Sequence, residues 1–288
     1  MSASSSYTST PPVPGSHGWV RTSAHTAYLT VDNPSAMTLE GTNTYVIGDL
    51  GETFPPAPGQ PKPQAVVVDP GPRDQGHARA VTAAVDVALI VVTHWHEDHI
   101  GNVQFLRELT DAPVRAWDRS LCVGAGPLQD EEVLREVDVE ISVWHAPGHT
   151  SDSICLSIFD DGVILTGDTI LGRGTTMLDY PNGDLEDYLD TLRVFKDEPG
   201  FTVLPAHGPH GEFLEEACER LLDHRLNRIH ELRRRLKASN DDLGPSASAL
   251  ASDIYAHVPE EVRGPAVKTL KAQLAYLMDI GEIAGFTD

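Results

Sequence analysis

Four histidine- and aspartate-bearing segments between positions 93 and 208 carry side chains and spacings suited to metal chemistry, and Thr93-His94-Trp95-His96-Glu97-Asp98-His99 is the first of them. With 13 histidines in 288 residues, chance places an H-x-H-x-D-H string about 0.002 times in such a chain, so the string asks for a chemical reason. A spacing of two in extended backbone puts the rings of His94 and His96 on one side, where both can grip one ion. Asp98 and His99 follow at the start of a helix that Ile100 is expected to begin. That turn rotates them away from the first pair and suits a second ion a short distance off.

Three later segments supply further donors: Pro147-Gly148-His149-Thr150, Thr166-Gly167-Asp168-Thr169 and Pro205-Ala206-His207-Gly208. Gly148, Gly167 and Gly208 let the backbone turn tightly beside a ligand, as bringing distant segments to one point requires. The elements that must position these donors are strands. Leu89–Val92 precedes His94, Ile141–Trp144 precedes Pro147, Val163–Leu165 precedes Asp168, and Thr202–Leu204 precedes His207. Loops at the edge of a rigid sheet fix catalytic groups while leaving them accessible. Thr44–Ile47 and Ala65–Val68 read as two more strands, joined across Asp49–Gln64, whose five prolines mark a surface excursion in a hairpin. From Val68 onward strand-like and helix-like runs alternate, the pattern of sheets with helices outside.

The order H-x-H-x-D-H, G-H-T, G-D, A-H-G resembles the metallo-β-lactamase superfamily over about Met37 to His210. The resemblance implies an α/β fold, an αββα sandwich. It also implies a ligand division: His94, His96 and His149 on one metal, Asp98, His99 and His207 on a second, and Asp168 bridging the two. Two Zn2+ are the expected cofactors, and imidazole and carboxylate donors also accept Fe or Mn. A water between two such ions loses a proton near neutral pH and becomes the attacking hydroxide, while the second ion polarises the scissile carbonyl or phosphoryl oxygen. Asp98 is then the catalytic residue that orients the nucleophile as well as a ligand.

Two further stretches, Asn33 to Tyr45 and Gly167 to Thr176, look like the beta-lactamase-like protein 2 branch, as does the ending Leu274-x-x-Leu277-x-x-x-Gly281-x-Ile283. By that similarity the chain ends in a small helical, winged-helix-like module, and Asn43 and Arg173 are nominated as substrate contacts. Without the resemblance, Asn43 closes a turn after Gly41 and Arg173 pairs with surface carboxylates. Asp69, in Val68-Asp69-Pro70-Gly71, is accounted for by turn chemistry. Asp152 fits either a partner for a ligand ring or a local cap. His145 and His210 read as structural.

Glu212–Lys237 places apolar residues at spacings of three and four, from Phe213 to Leu236, and predicts a long amphipathic helix. A break over Asn240–Pro245 and two further helices, Ala247–His257 and Val262–Met278, complete the ending. The domains expected are a flexible tail (1–20), the metallo-β-lactamase domain (21–211) and the C-terminal module (212–288).

Branch members include thioesterases and endoribonucleases, so a small acyl substrate and single-stranded RNA are the two candidates. Asp plus Glu outnumber Lys plus Arg by 43 to 21, a net charge of −22 that repels phosphodiesters and anionic membranes. That favours a thioester or ester, with no membrane and no DNA as partners. The feature favouring RNA is a basic stretch, Arg225, Arg228, Arg233, Arg234, Arg235 and Lys237, interleaved with Glu215, Glu216, Glu219, Asp223 and Glu231. The N-terminal Ser/Thr/Pro-rich residues offer no secretory or membrane-spanning run, which disfavours a secreted lactamase. Cys122, Cys155 and Cys218 form no C-x-x-C pair and read as small buried hydrophobes in a cytoplasmic protein.

Overall fold

A computed structural model describes residues 18–238, 246–256 and 259–288. The first sheet runs in chain order: β1 (Val20–Arg21), β2 (Thr26–Thr30), β3 (Asn43–Ile47), β4 (Gln64–Val68), β5 (Asp86–Val91) and β6 (Val114–Arg115). β1 to β4 pair antiparallel, with β3 and β4 forming the expected hairpin, and β4, β5 and β6 pair parallel. The second sheet has the order β11-β10-β9-β8-β7, built from β7 (Val133–Leu134), β8 (Ile141–His145), β9 (Ile154–Ile158), β10 (Val163–Gly167) and β11 (Thr202–Pro205). Only β10 and β11 are parallel in it. Trp19 and Val20, which the sequence groups with the tail, are packed: Trp19 meets Phe54 edge-on and Val20 pairs with Tyr28.

The sheets stack face to face, and the burial pattern of β4 shows why its sequence is apolar at four successive positions. Val66 and Val68 join the layer between the sheets with Leu89, Val143, Leu156 and Leu165. Ala65 and Val67 face the other way, against α1 (Gln75–Ala84) and α3 (Val103–Thr110) through Ala78, Val81 and Leu106. A strand covered on both faces needs no polar alternation. The outer face of the second sheet, with Cys155, Ile164 and Val203, is covered by α4 (Leu185–Lys196), α5 (Leu214–Ala238), α6 (Ala247–Ile254) and α7 (Glu260–Asp279) in one continuous apolar cluster. The arrangement is the αββα sandwich expected, and the C-terminal region is helical. The break read at Asn240–Pro245 and the helix end at His257 lie outside the described residues.

Ile100 does not begin a helix. It ends α2 (Glu97–Ile100), a single turn, and the chain restarts as α3 after Asn102. The helical ladder breaks at Asn102, whose amide donates to the Gly71 carbonyl at 2.9 Å instead of back to the turn, and Gly101 packs closely there, since a Cβ would lie 2.9 Å from the Arg73 nitrogen. All three cysteines are free, Cys155 and Cys218 buried. No helix among the described residues is long and apolar enough to cross a membrane.

Candidate metal centre

The loops after β5, β8, β10 and β11 bring all seven candidate ligands together, in two groups whose donor atoms lie within 4.8 Å of one another: His94, His96, His149 and Asp168, and Asp98, His99 and His207. Glycine makes the approach possible. Gly148 has φ +134°, and a Cβ there would sit 2.4 Å from Tyr188 Cα on α4. Gly167, at φ +50°, passes so close to Thr93 that a Cβ would be 2.9 Å from its Oγ1.

In the first group three ring nitrogens converge. His94 Nε2 is 3.0 Å from His96 Nδ1 and 3.3 Å from His149 Nε2, which is 3.1 Å from His96 Nδ1. Two nitrogens on one tetrahedral zinc stand about 3.3 Å apart, given bonds near 2.05 Å. The opposite nitrogen of each ring is held by an acceptor. His149 donates from Nδ1 to the Met177 carbonyl at 2.6 Å, His96 from Nε2 to Asp179 Oδ2 at 3.2 Å, and His94 from Nδ1 to Thr93 Oγ1 at 3.1 Å. Thr93 passes its own proton to Asp69 Oδ2 at 2.7 Å. With outer nitrogens protonated in this way, the inner ones offer lone pairs to a common point.

The second group is built alike but with more negative charge. His207 Nε2 lies 3.2 Å from Asp98 Oδ2 and 3.2 Å from Asp168 Oδ1, and His99 Nε2 lies 3.6 and 3.5 Å from the same oxygens. His207 donates from Nδ1 to the Gly41 carbonyl at 3.2 Å, and His99 from Nδ1 to Asp69 Oδ2 at 2.8 Å. Asp168 faces both groups, Oδ1 toward His99 and His207, Oδ2 toward His149 Nε2 at 3.7 Å.

The donors fit a metal on two grounds. His99 Nε2 and Asp168 Oδ1 are buried and have no hydrogen-bond partner, a cost that a cation between them removes. The field also asks for positive charge. Burial lowers the pKa of His99, but Asp69, Asp168 and Asp98 outweigh it and push it up to about 10. In the first group, burial and the neighbouring imidazoles push His94 well down. Burial brings His149 to about 4, against the pull of Asp168. Those rings are neutral, the form that ligates.

Asp69 and Asp179 are the residues that sequence reasoning undervalued. Asp69 does occupy a turn, with φ +50°, yet its carboxylate is buried and holds the Thr93 amide, the Thr93 hydroxyl and His99. Its signal was its place at the end of β4, the neighbour of the strand that delivers His94. Asp179 had no local motif; it is buried between His96 and Lys268. Asp152 accepts from Thr150 Oγ1 at 2.7 Å, the local arrangement. His145 stacks on Trp117 and His210 packs against Tyr28.

The two nominated substrate contacts part company. Asn43 is 3% exposed, and its amide donates to the carbonyls of Pro205 and Gly208 while its oxygen accepts from Thr30 Oγ1. It ties β3 to the loop that carries His207, with its side chain fully engaged. Arg173 is half exposed, pairs with Glu40 at 2.6 Å, and lines a cavity of about 350 Å³ that also touches His149 and Asp168. A second cavity, about 440 Å³, opens directly over the metal groups and is walled by Met37, Met177 and, from α7, Gly264, Pro265 and Lys268.

The chain matches known proteins in the same terms. Residues 60–207 match the model of the metallo-beta-lactamase superfamily. A beta-lactamase-like protein 2 homolog of Caenorhabditis elegans is 28% identical over 87% of this chain and 83% of its own length. An atrochrysone carboxyl ACP thioesterase of Aspergillus fumigatus is 26% identical over 86% of this chain and 80% of its own. The solved structure of a beta-lactamase domain protein from Burkholderia ambifaria superposes with a TM-score of 0.72 at 19% identity, covering 94% of this chain and 92% of that one, a likeness of fold. With the family model spanning half of its length and the ligand-bearing loops inside that span, the chain belongs to the metallo-beta-lactamase superfamily.

Proposed function

We propose that the chain is a dinuclear-metal hydrolase of thioesters or esters, with zinc as the expected metal. The observation that carries it is Asp168, whose two carboxylate oxygens face two different groups of donors and so can join two ions. Bound there, the ions supply Lewis acidity and bring the deprotonation of a water toward neutral pH. The protein's own work is orientation. Asp98 Oδ2 lies 3.2 Å from His207 Nε2, and its pKa is held below the ordinary carboxylate range: burial raises it, but His99 and His207 outweigh that. It therefore remains an acceptor able to align the attacking water's proton over the second group. The cavity walls of Met37, Met177 and Pro265 offer apolar surface to an acyl group.

The choice of an acyl substrate rests on the basic helix, which is already engaged. Arg225 is 2% exposed, donates to the Thr176 carbonyl and stacks over Tyr188. Arg228 pairs with Glu231, Arg233 with Glu282, and Arg235 with Glu231 and Asp253. Few charges are left to gather a polyanion against the −22 of the chain. The thioesterase among the similar proteins points the same way.

The test compares kcat/KM on a panel of acyl thioesters with cleavage of labelled single-stranded RNA at two salt concentrations, alongside metal analysis. Thioester turnover should exceed RNA cleavage, with about two ions per chain, and Asp98→Ala should abolish turnover while preserving the circular dichroism. Faster RNA cleavage by the wild type, absent in Asp98→Ala and weakened when Arg233, Arg234 and Arg235 become Glu, would put the ribonuclease reading in its place.

A further inference from the structure

The strip Thr176–Asp179 lies between the histidine group and the C-terminal helices, and takes hydrogen bonds from both. On one side His149 donates to the Met177 carbonyl and His96 to Asp179 Oδ2. On the other, Arg225 of α5 donates to the Thr176 carbonyl, Thr269 Oγ1 of α7 accepts from the Leu178 amide at 3.1 Å, and Lys268 of α7 pairs with Asp179 Oδ1. We propose that the C-terminal helices are a positioning device for the histidine end of the metal centre, and that Lys268 is the residue through which α7 acts, by way of Asp179 on His96.

The chemistry of Asp179 supports this. Its side chain is 4% exposed, so a lone carboxylate there would be costly. One oxygen takes the His96 N–H, and the Lys268 ammonium neutralises the other and fixes the rotamer. Fixing that rotamer fixes the plane of the His96 ring, and with it the direction of the Nδ1 lone pair toward His94 and His149. Without the ammonium, the Asp179 carboxylate can turn, and that frees the ring. Losing the outer partner of a ligand typically costs 10- to 100-fold in metal affinity. Lys268 is one bond further out, so its removal belongs at the lower end.

The inference rests on the dinuclear reading, so its test reads the metal apart from turnover. Metal-free full-length protein is titrated with Co2+ and followed by its d–d absorption. Wild type should take up two equivalents. Lys268→Met should bind one of them about tenfold more weakly, with an altered band shape, and leave the other unchanged. Lys268→Arg should restore wild-type binding. Asp179→Asn, which keeps the shape of the side chain, should weaken the same ion at least as much, and covers the case in which Lys268→Met disturbs the seating of α7. Thermal unfolding of the metal-free variants reports that seating. Wild-type titration curves in both Lys268→Met and Asp179→Asn would overturn the proposal. So would a Lys268→Met protein with a raised KM and unchanged metal affinity, which would make Lys268 a substrate contact. A wild type holding a single ion would defeat the dinuclear reading, while a weakened single ion in Lys268→Met would still sustain the positioning role.

Discussion

The two halves of the candidate metal centre share a design and differ in charge. His94, His96 and His149 present three inner lone pairs, and burial with neighbouring imidazoles keeps His94 and His149 neutral. Their outer nitrogens rest on Thr93, Asp179 and the Met177 carbonyl, the last two in a strip that the C-terminal helices grip. Asp98, His99 and His207 stand instead among carboxylates and are backed by Asp69 and the Gly41 carbonyl from the first sheet. On the proposed dinuclear reading, the first half would hold its ion by the aim of its imidazoles and the second by negative charge. Loss of aim and loss of charge should therefore be separable by mutation.

The largest effect is expected where the halves meet. Asp168→Ala removes one oxygen from each group, so both ions should weaken by more than the roughly 10- to 100-fold that a lost outer partner costs. Hydrolysis should fall to background. Elemental analysis after extensive dialysis checks this. Retention of two equivalents would mean that the two groups bind independently, and the comparison above would lose its hinge.

A smaller and one-sided effect is expected at Asp69. Its Oδ2 accepts the His99 Nδ1 proton, so Nε2 is the nitrogen turned toward Asp98 and Asp168. In Asp69→Asn the amide can donate to Nδ1, which moves the ring proton to Nε2 and blocks the ligating atom. The ion of the carboxylate half should bind about 10- to 100-fold more weakly, with the ion of the histidine half unchanged. Stepwise Co2+ titration separates the two, and an equal loss of both would show that Asp69 supports the β5 turn as a whole.

What the sequence shows and what it hides follow from range. The H-x-H-x-D-H string and the glycine-flanked donors are local, and their strands are legible because each ends at a polar junction: β10 and β11 stop one or two residues before Asp168 and His207. The supports are long-range. Asp69 meets residues 93 and 99, and Asp179 meets residues 96 and 268, so neither leaves a spacing to read. Arg225 is an instructive miss. Local charge alone groups it with a basic surface, yet Cys218, Leu221, Arg225, Ile229 and Leu232 recur at three and four, the face that α5 buries. Asn43 shows the converse, since a loop likeness nominated a substrate contact where packing between β3 and the His207 loop needs a strut.

The support behind the carboxylate half also contains an acid-sensitive member, His77 on α1. Thr44 Oγ1 gives its proton to the Asp69 carbonyl at 2.7 Å, so His77 must donate from Nε2 to Thr44 Oγ1, at 2.8 Å. His77 is 7% exposed, and burial, opposed by Asp74, lowers its pKa from 6.5 to about 4. The folded protein therefore takes up this proton less readily than the unfolded chain. The stability that the neutral ring contributes is present above pH 6.5 and is lost as pH falls from 6.5 to 4, by about 1.4 kcal/mol per pH unit and about 3 kcal/mol in all. His77→Gln can still donate to Thr44 but cannot titrate. Urea unfolding of metal-free wild type and variant at several pH values from 7 to 4 should show the variant losing up to about 3 kcal/mol less on acidification. Metal-free protein is required because the ligand histidines also titrate when metal leaves. If the two proteins lose stability in parallel, His77 is not the group that couples the carboxylate side of the centre to acid.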